Sequence, residues 1–146
     1  VKLKFKKLHP KAKAPVRQHT QDAGFDLTVT EKILNGYYNQ VEYGFGIAVE
    51  IPDNHVGLLF PRSSVYRKDL TLSNCVGVLD ACYRGEIRAI FRKTRECDSA
   101  YSAKVYEVGE RAIQLVIVPL ANITETEEVD ELTPTDRGEG GFGSTN

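Results

Sequence analysis

Residues 137–146, RGEGGFGSTN, set one guanidinium, one aromatic ring and two hydroxyls among four glycines. Glycine permits any backbone geometry, Arg137 can fork onto phosphate oxygens, Phe142 can stack on a flat ring, and Ser144 and Thr145 can donate to anions. The run also satisfies two phosphate-loop spacings, GxGxxG from Gly138 and GxxxxG before Ser144. Both motifs need a strand before the loop and a helix after it, and the second needs Lys where Ser144 stands. The surrounding sequence supplies neither element, so the run reads as a closing arm over a ligand. The competing reading is a flexible polar tail.

Residues 74–87, NCVGVLDACYRGEI, form a second constellation. Two short extended arms surround an apolar tip, so a hairpin is expected, with Asp80 and Tyr83 close to its bend. Opened by Gly77 and Gly85, such a hairpin can present backbone N–H and C=O groups to a flat heterocycle as a neighbouring strand would. A turn between Val78 and Leu79 would set Cys75 opposite Cys82. Asp80 is placed to orient or deprotonate a water, and Tyr83 to pack beneath a sugar. The plainer alternatives are a turn Asp bonded to its own backbone and a half-buried strand Tyr.

Three shorter motifs add anion chemistry. Pro61-Arg62-Ser63-Ser64 leaves an apolar run with a guanidinium and two hydroxyls, suited to phosphate or simply to a solvated turn. In the strand-like run AIQLVIV, Gln114 stands alone among apolar neighbours and needs a partner: a ligand phosphate, metal-bound water or a neighbouring backbone group. Asp26, in DAGFDL at 22–27, sets a carboxylate beside a permissive glycine.

The elements that position these residues read as strands. Val1, Leu3 and Phe5 alternate with Lys2, Lys4 and Lys6, a period of two whose lysines suit a sheet edge. Runs at 24–29, 47–51, 55–60, 70–73, 86–92 and 112–118 are short and rich in Val, Ile, Leu and Phe, with Gly and Pro-Asp punctuation between them. No stretch of ten residues carries a helical stripe, so an all-β sandwich, jelly roll or barrel is expected. The acidic stretch 124–131 reads as a solvated strand or extended connector.

The 146-residue length fits one domain able to bury a core without disulfides or metals. A net charge of −1 argues against nucleic-acid or membrane-surface binding. No apolar run approaches about 18 residues and no leader pattern is visible, so a soluble, cytoplasmic protein is expected. Three Cys without a CxxC pair, and the scattered His9, His19 and His55, fit reduced thiols and no zinc site.

Taken in order, DAGFDL at 22–27, PRSS at 61–64, GVLDACYRGEI at 77–87, GERAIQLVI at 109–117 and RGEGGFGST at 137–145 resemble the five motifs of the trimeric deoxyuridine triphosphatases, the dUTPases. The resemblance spans nearly the whole chain. It implies a distorted β jelly roll of the β-clip kind and a homotrimer with the C-terminal arm exchanged between subunits. Residues 1–136 would form the β domain and 137–146 the arm. It further implies hydrolysis of dUTP to dUMP and pyrophosphate with Mg2+, lowering dUTP and supplying dUMP for dTTP synthesis. By the same resemblance, Asp80 is the catalytic acid that activates water. Asn74 and the backbone of Val78 and Leu79 read uracil, and Tyr83 stacks on deoxyribose. Arg62, Ser63, Ser64 and Gln114 contact phosphates, Arg88 is a basic group near the nucleotide, and Asp26 supports the metal through water. Arg137, Phe142, Gly143, Ser144 and Thr145 complete the site from the arm. The sequence departs from the family pattern at Cys82 and at Ser64-Val65, where Gly-Leu is commoner. A dCTP deaminase of the same fold, or a nucleotide-binding protein without turnover, are the alternatives. The DxxYRG segment and the full arm disfavour the first, and the joint presence of Asp80, Arg62 and Gln114 the second.

Overall fold

The computed structural model describes residues 2–95 and 103–141. Among these residues ten strands form three antiparallel sheets. β1 (Lys4–Lys7) and β5 (Ile47–Glu50) make a two-stranded ribbon in which Lys4 faces Glu50. One four-stranded sheet takes the order β2-β10-β6-β8, from β2 (Gly24–Thr28), β10 (Arg111–Pro119), β6 (His55–Pro61) and β8 (Gly77–Leu79). The other takes the order β3-β4-β9-β7, from β3 (Glu31–Asn35), β4 (Gln40–Gly44), β9 (Arg88–Lys93) and β7 (Leu70–Leu72). The all-β architecture and the distorted jelly roll implied by the family resemblance are both present. Among the described residues the only helical segment is a 3-10 turn, Ser63–Arg67.

Both larger sheets turn apolar faces into one core. Leu27, Leu59, Ile113 and Leu115 come from the first sheet, and Val41, Tyr43, Ala89 and Phe91 from the second. Removing such side chains from water supplies the main drive for folding. Tyr43 is fully buried and brings a polar atom with it. Its hydroxyl donates to Tyr106 O at 3.2 Å and accepts from Tyr106 N at 2.9 Å. Burial outweighs those bonds and holds the Tyr43 phenol well above the ordinary tyrosine range, so it stays neutral.

One strand pair was not expected, and one expectation needs correction. The hairpin β3-β4 lay outside the sequence reading because β3 has no buried face: Ile33 and Leu34 are adjacent and both exposed. Residues 74–87 are not a self-paired hairpin. β8 pairs with β6, while β9 pairs with β4 and β7, so the connection crosses from one sheet to the other. Its bend lies at Asp80–Tyr83, closed by Tyr83 N donating to Asp80 O at 3.0 Å, not between Val78 and Leu79. Cys75 and Cys82 are both exposed free thiols. The sheets end at Pro119, and residues 119–139 are all exposed. The acidic stretch 124–131 is an extended connector, without strand pairing.

Tyr43→Phe is expected to destabilise the protein by about 1–3 kcal/mol, because it strips a buried N–H and a buried C=O of one partner. Urea unfolding measures it; an unchanged midpoint would show that both groups find other partners.

Candidate functional site

β10 presents its polar side chains on one face through a bulge. Arg111 and Gln114 are three residues apart and would fall on opposite faces of a regular strand. The pairing with β2 shifts between Arg111 and Ile113, so Arg111 stands opposite Thr28 and Gln114 opposite Asp26. Ala112 and Ile113 are consequently both buried, and Arg111 and Gln114 share the face that carries Asp26. Gly24 leaves room for Gln114, since a Cβ there would lie 3.0 Å from Gln114 Cβ and 3.1 Å from its Oε1.

Asp26 is the hinge of this face. Its carboxylate is 13% exposed and lies between two guanidiniums, accepting from Arg62 Nε at 2.9 Å and from an Arg111 terminal nitrogen at 3.0 Å. Arg111 also donates to Gln18 at 3.0 Å. Together with Gln114 and Gly24 these groups line a cavity of about 280 Å³. Two guanidiniums and two carboxylates line it, Asp26 between the guanidiniums and Asp22 accepting from His19 N, so the forked guanidinium donors, not a net positive charge, suit it to a phosphate. Ser64 does not line this cavity; it lines a larger one on the other side of Arg62. Ser63 opens the 3-10 turn and is exposed. No group of three or more His, Cys, Asp or Glu side chains among the described residues forms a metal cage. Asp26, with both oxygens already bonded, fits a cation through an intervening water better than as a direct ligand.

The second constellation occupies the corner between β8 and β9. Asp80 is exposed in the turn, and Tyr83 packs back across Gly85 with its hydroxyl donating to Glu86 O at 2.9 Å. A Cβ at position 85 would lie 2.3 Å from the Tyr83 hydroxyl, so Gly85 is what lets the ring lie there. Among the described residues β8 is the edge of its sheet, and one side of Val78 and Leu79 has no neighbouring strand. Asn74 lies beside Arg88 at a third cavity. Arg88, expected near a nucleotide, is committed elsewhere: its guanidinium donates to Glu31, Glu42 and Glu86. Burial alone would lower its pKa, but the three carboxylates overcome that and raise it. The third of these, Glu86, also accepts from Gly46 N at 2.9 Å. Arg88 thus ties β3, β4 and the corner together.

The two constellations do not meet within one chain. Gly57 pairs with Leu79, which sets Asp80 level with Val56, whereas Arg62 lies past the other end of β6. Six residues of strand correspond to roughly 20 Å. Arg137 folds onto its own turn, donating to Gly140 O at 2.8 Å, within the exposed C-terminal stretch. Phe142, Gly143, Ser144 and Thr145 lie outside the described residues.

The dUTPase family model matches residues 10–146. The chain belongs to the dUTPase family. It is 37% identical to a deoxyuridine 5'-triphosphate nucleotidohydrolase of Picosynechococcus over 98% of this chain and 97% of that protein. Its identity to the enzyme of the same name from Clostridium tetani is 39%, over 98% and 95% of the two chains. The fold superposes on a Staphylococcus bacteriophage 80alpha dUTPase solved with dUpNHpp, with a TM-score of 0.82, 31% identity and coverage of 99% and 98%. A dUTPase from the S. aureus phage phi11, solved with a structural Mg(II) ion, is similar at a TM-score of 0.77 and 26% identity, over 92% of this chain and all of that one.

The functional residues that sequence reading missed are Arg111 and Gln18. Arg111 was visible just before the strand expected at 112–118, but nothing in the spacing announces the bulge that turns it toward Asp26. Asp26→Ala would leave two guanidiniums facing each other, and should cost about 1–3 kcal/mol. The deficit, read from urea midpoints, should shrink as salt screens the repulsion; a salt-independent deficit would contradict this electrostatic account.

Proposed function

We propose that this chain is a dUTP nucleotidohydrolase that hydrolyses dUTP to dUMP and pyrophosphate in a homotrimer whose sites are shared between subunits. The observation that carries the shared site is the β8–β6 register, which sets Asp80 about 20 Å along β6 from Arg62, the residue bonded to Asp26. A nucleotide triphosphate that engages both constellations therefore needs them from different copies. The family membership, and the dUTP analogue bound to the bacteriophage relative, support the substrate.

In this reading uracil pairs with the open edge of β8 through the backbone of Val78 and Leu79, helped by Asn74, as an added strand would. Tyr83, held over Gly85, lies beneath the deoxyribose and leaves no room for a 2'-hydroxyl. A neighbouring copy supplies Arg62, Ser63, Ser64 and Gln114 to the phosphates. Asp80 orients a water in line with the α-phosphorus and takes its proton as the new P–O bond forms. The bond to the bridging oxygen breaks, and pyrophosphate carries away that electron pair. Mg2+, when bound, would neutralise phosphate charge, with Asp26 reaching it through water. The arm, residues 137–146, closes the site with Arg137, Phe142, Gly143, Ser144 and Thr145. The exposed connector before it is long enough to reach a neighbouring copy. Exposed free thiols at Cys75 and Cys82 fit a reducing, cytoplasmic setting, and no helix of the described residues is long and apolar enough to cross a membrane.

Asp80→Asn keeps shape and hydrogen bonding but cannot accept a proton, so turnover should fall about 100- to 10,000-fold while dUTP binding persists. Deletion of residues 137–146 should also inactivate the protein. Mixed after unfolding and reassembly, the two inactive forms should regain partial activity with a trimeric mass by light scattering. Full activity of either variant, or of a monomer, would refute the shared site.

Gly85→Ala should displace the Tyr83 ring and with it the exclusion of ribose. The dUTP-to-UTP preference, measured as a ratio of kcat/KM, is expected to drop at least about tenfold, the scale of losing one well-placed steric contact. An unchanged ratio would mean Tyr83 does not set sugar specificity.

A further inference from the structure

The corner that carries Tyr83 is gripped from outside by a single carboxylate. Granted the proposed role of Tyr83 as the barrier to ribose, we infer that Glu86 is a positioning residue for sugar discrimination, acting through the backbone carbonyl that holds the Tyr83 hydroxyl.

Tyr83 is 44% exposed, and among the described residues its hydroxyl bonds only Glu86 O, at 2.9 Å. The ring therefore stands where that carbonyl stands. Gly85, between the two residues, gives the backbone no stiffness of its own. The peptide plane that bears the carbonyl is held on its other side by Ile87 N, which donates to Ile47 O at 2.9 Å. A plane held at one bond can pivot about it. The Glu86 carboxylate stops the pivot, because its Oε1 accepts from Gly46 N at 2.9 Å and its Oε2 from an Arg88 terminal nitrogen at 2.8 Å. Both oxygens are thus tied to neighbouring segments, Gly46 between β4 and β5 and Arg88 at the start of β9.

Two glycines admit this grip, and they are an independent observation. Gly46 is buried at φ +62°, a left-handed geometry that glycine adopts without strain, and the Glu86 carboxylate is the acceptor for its N–H. At Gly44, a Cβ would lie 2.8 Å from Glu86 Oε1 and 3.0 Å from the Arg88 terminal nitrogen. The last residue of β4 must lack a side chain if the carboxylate is to reach Gly46. Glu31 and Glu42 also accept from Arg88, but among the described residues only Glu86 of the three also accepts from a backbone N–H. It alone passes the anchorage of the cluster on to the corner. A barrier made of one side chain works only while it is held to within about 0.5 Å.

Glu86→Gln tests this, because an amide offers one acceptor oxygen to the two donors that the carboxylate serves. The ratio of kcat/KM for dUTP to that for UTP is expected to fall about three- to tenfold, mainly through faster turnover of UTP, since the barrier loosens without disappearing. Gly44→Ala, which displaces the same carboxylate from the side of β4, should act alike. Glu31→Gln is the control: it takes a partner from Arg88 but leaves Glu86 on Gly46, so the ratio should hold at the wild-type value even where the urea midpoint falls. Ligand-free crystal structures give a readout that involves no turnover. In them the Tyr83 hydroxyl should stay on Glu86 O in the wild type and Glu31→Gln, and leave it in Glu86→Gln and Gly44→Ala. An unchanged ratio in Glu86→Gln, or one lowered equally by Glu31→Gln, would overturn the proposal. If the wild type itself shows no preference for dUTP over UTP, the reading of Tyr83 falls, and the crystal structures still decide whether Glu86 places its ring.

Discussion

The pairing of Gly77–Leu79 with Gly57–Leu59 is the constraint on which the remaining architecture turns. Antiparallel register is discrete, because a slip by one residue would move every side chain of β8 to the other face. Gly57 and Gly77 make this register possible. A Cβ on Gly57 would lie 2.6 Å from Ile51 Cδ1, and one on Gly77 would lie 3.0 Å from Leu59 Cβ. Once the strands lock, the chain must turn at Asp80 and pass to the second sheet. The acidic corner and the cationic end of the first sheet are thereby held at opposite ends of β6. A site that used both would need more than one copy of the chain.

Electrostatic arrangement follows the same logic of fixed positions. Asp26 holds two guanidiniums that would otherwise repel, presenting them as a rigid positive surface before any ligand arrives. Arg88 does the converse, holding three glutamates on β3, β4 and the corner. Both clusters are only partly exposed, so their charges are screened less than surface pairs and their geometry costs little to reorganise. The cationic end and the corner are therefore each preorganised separately.

The long exposed stretch 119–139 is the counterpart of that rigidity. It carries Ile123 and Leu132 at 78% and 85% exposure. Apolar side chains so placed gain by finding cover, and an extended connector lets the arm find it away from its own core. In the dUTPase reading that cover is another subunit.

Much of the chemistry was legible before any fold was known, because it resides in residue type and short spacing: the glycine arm, the Arg-Ser-Ser turn, the Asp80–Tyr83 corner and the lone Gln114. Most strands were legible too, since burial of one face imprints a pattern of apolar runs. β3 left no such imprint, having no buried face, and the corner was mistaken for a paired hairpin because two extended arms look alike whether they bond each other or different sheets. Sequence alone therefore determined the chemical groups available, the all-β class and the family. Tertiary structure alone decided which groups meet: that a bulge turns Arg111 onto Asp26, that Arg88 is consumed by three carboxylates, and that Asp80 stands about six strand residues from Arg62. The physical reason is that such contacts depend on strand register and on faces, which arise from packing between distant segments and leave no local mark in the chain.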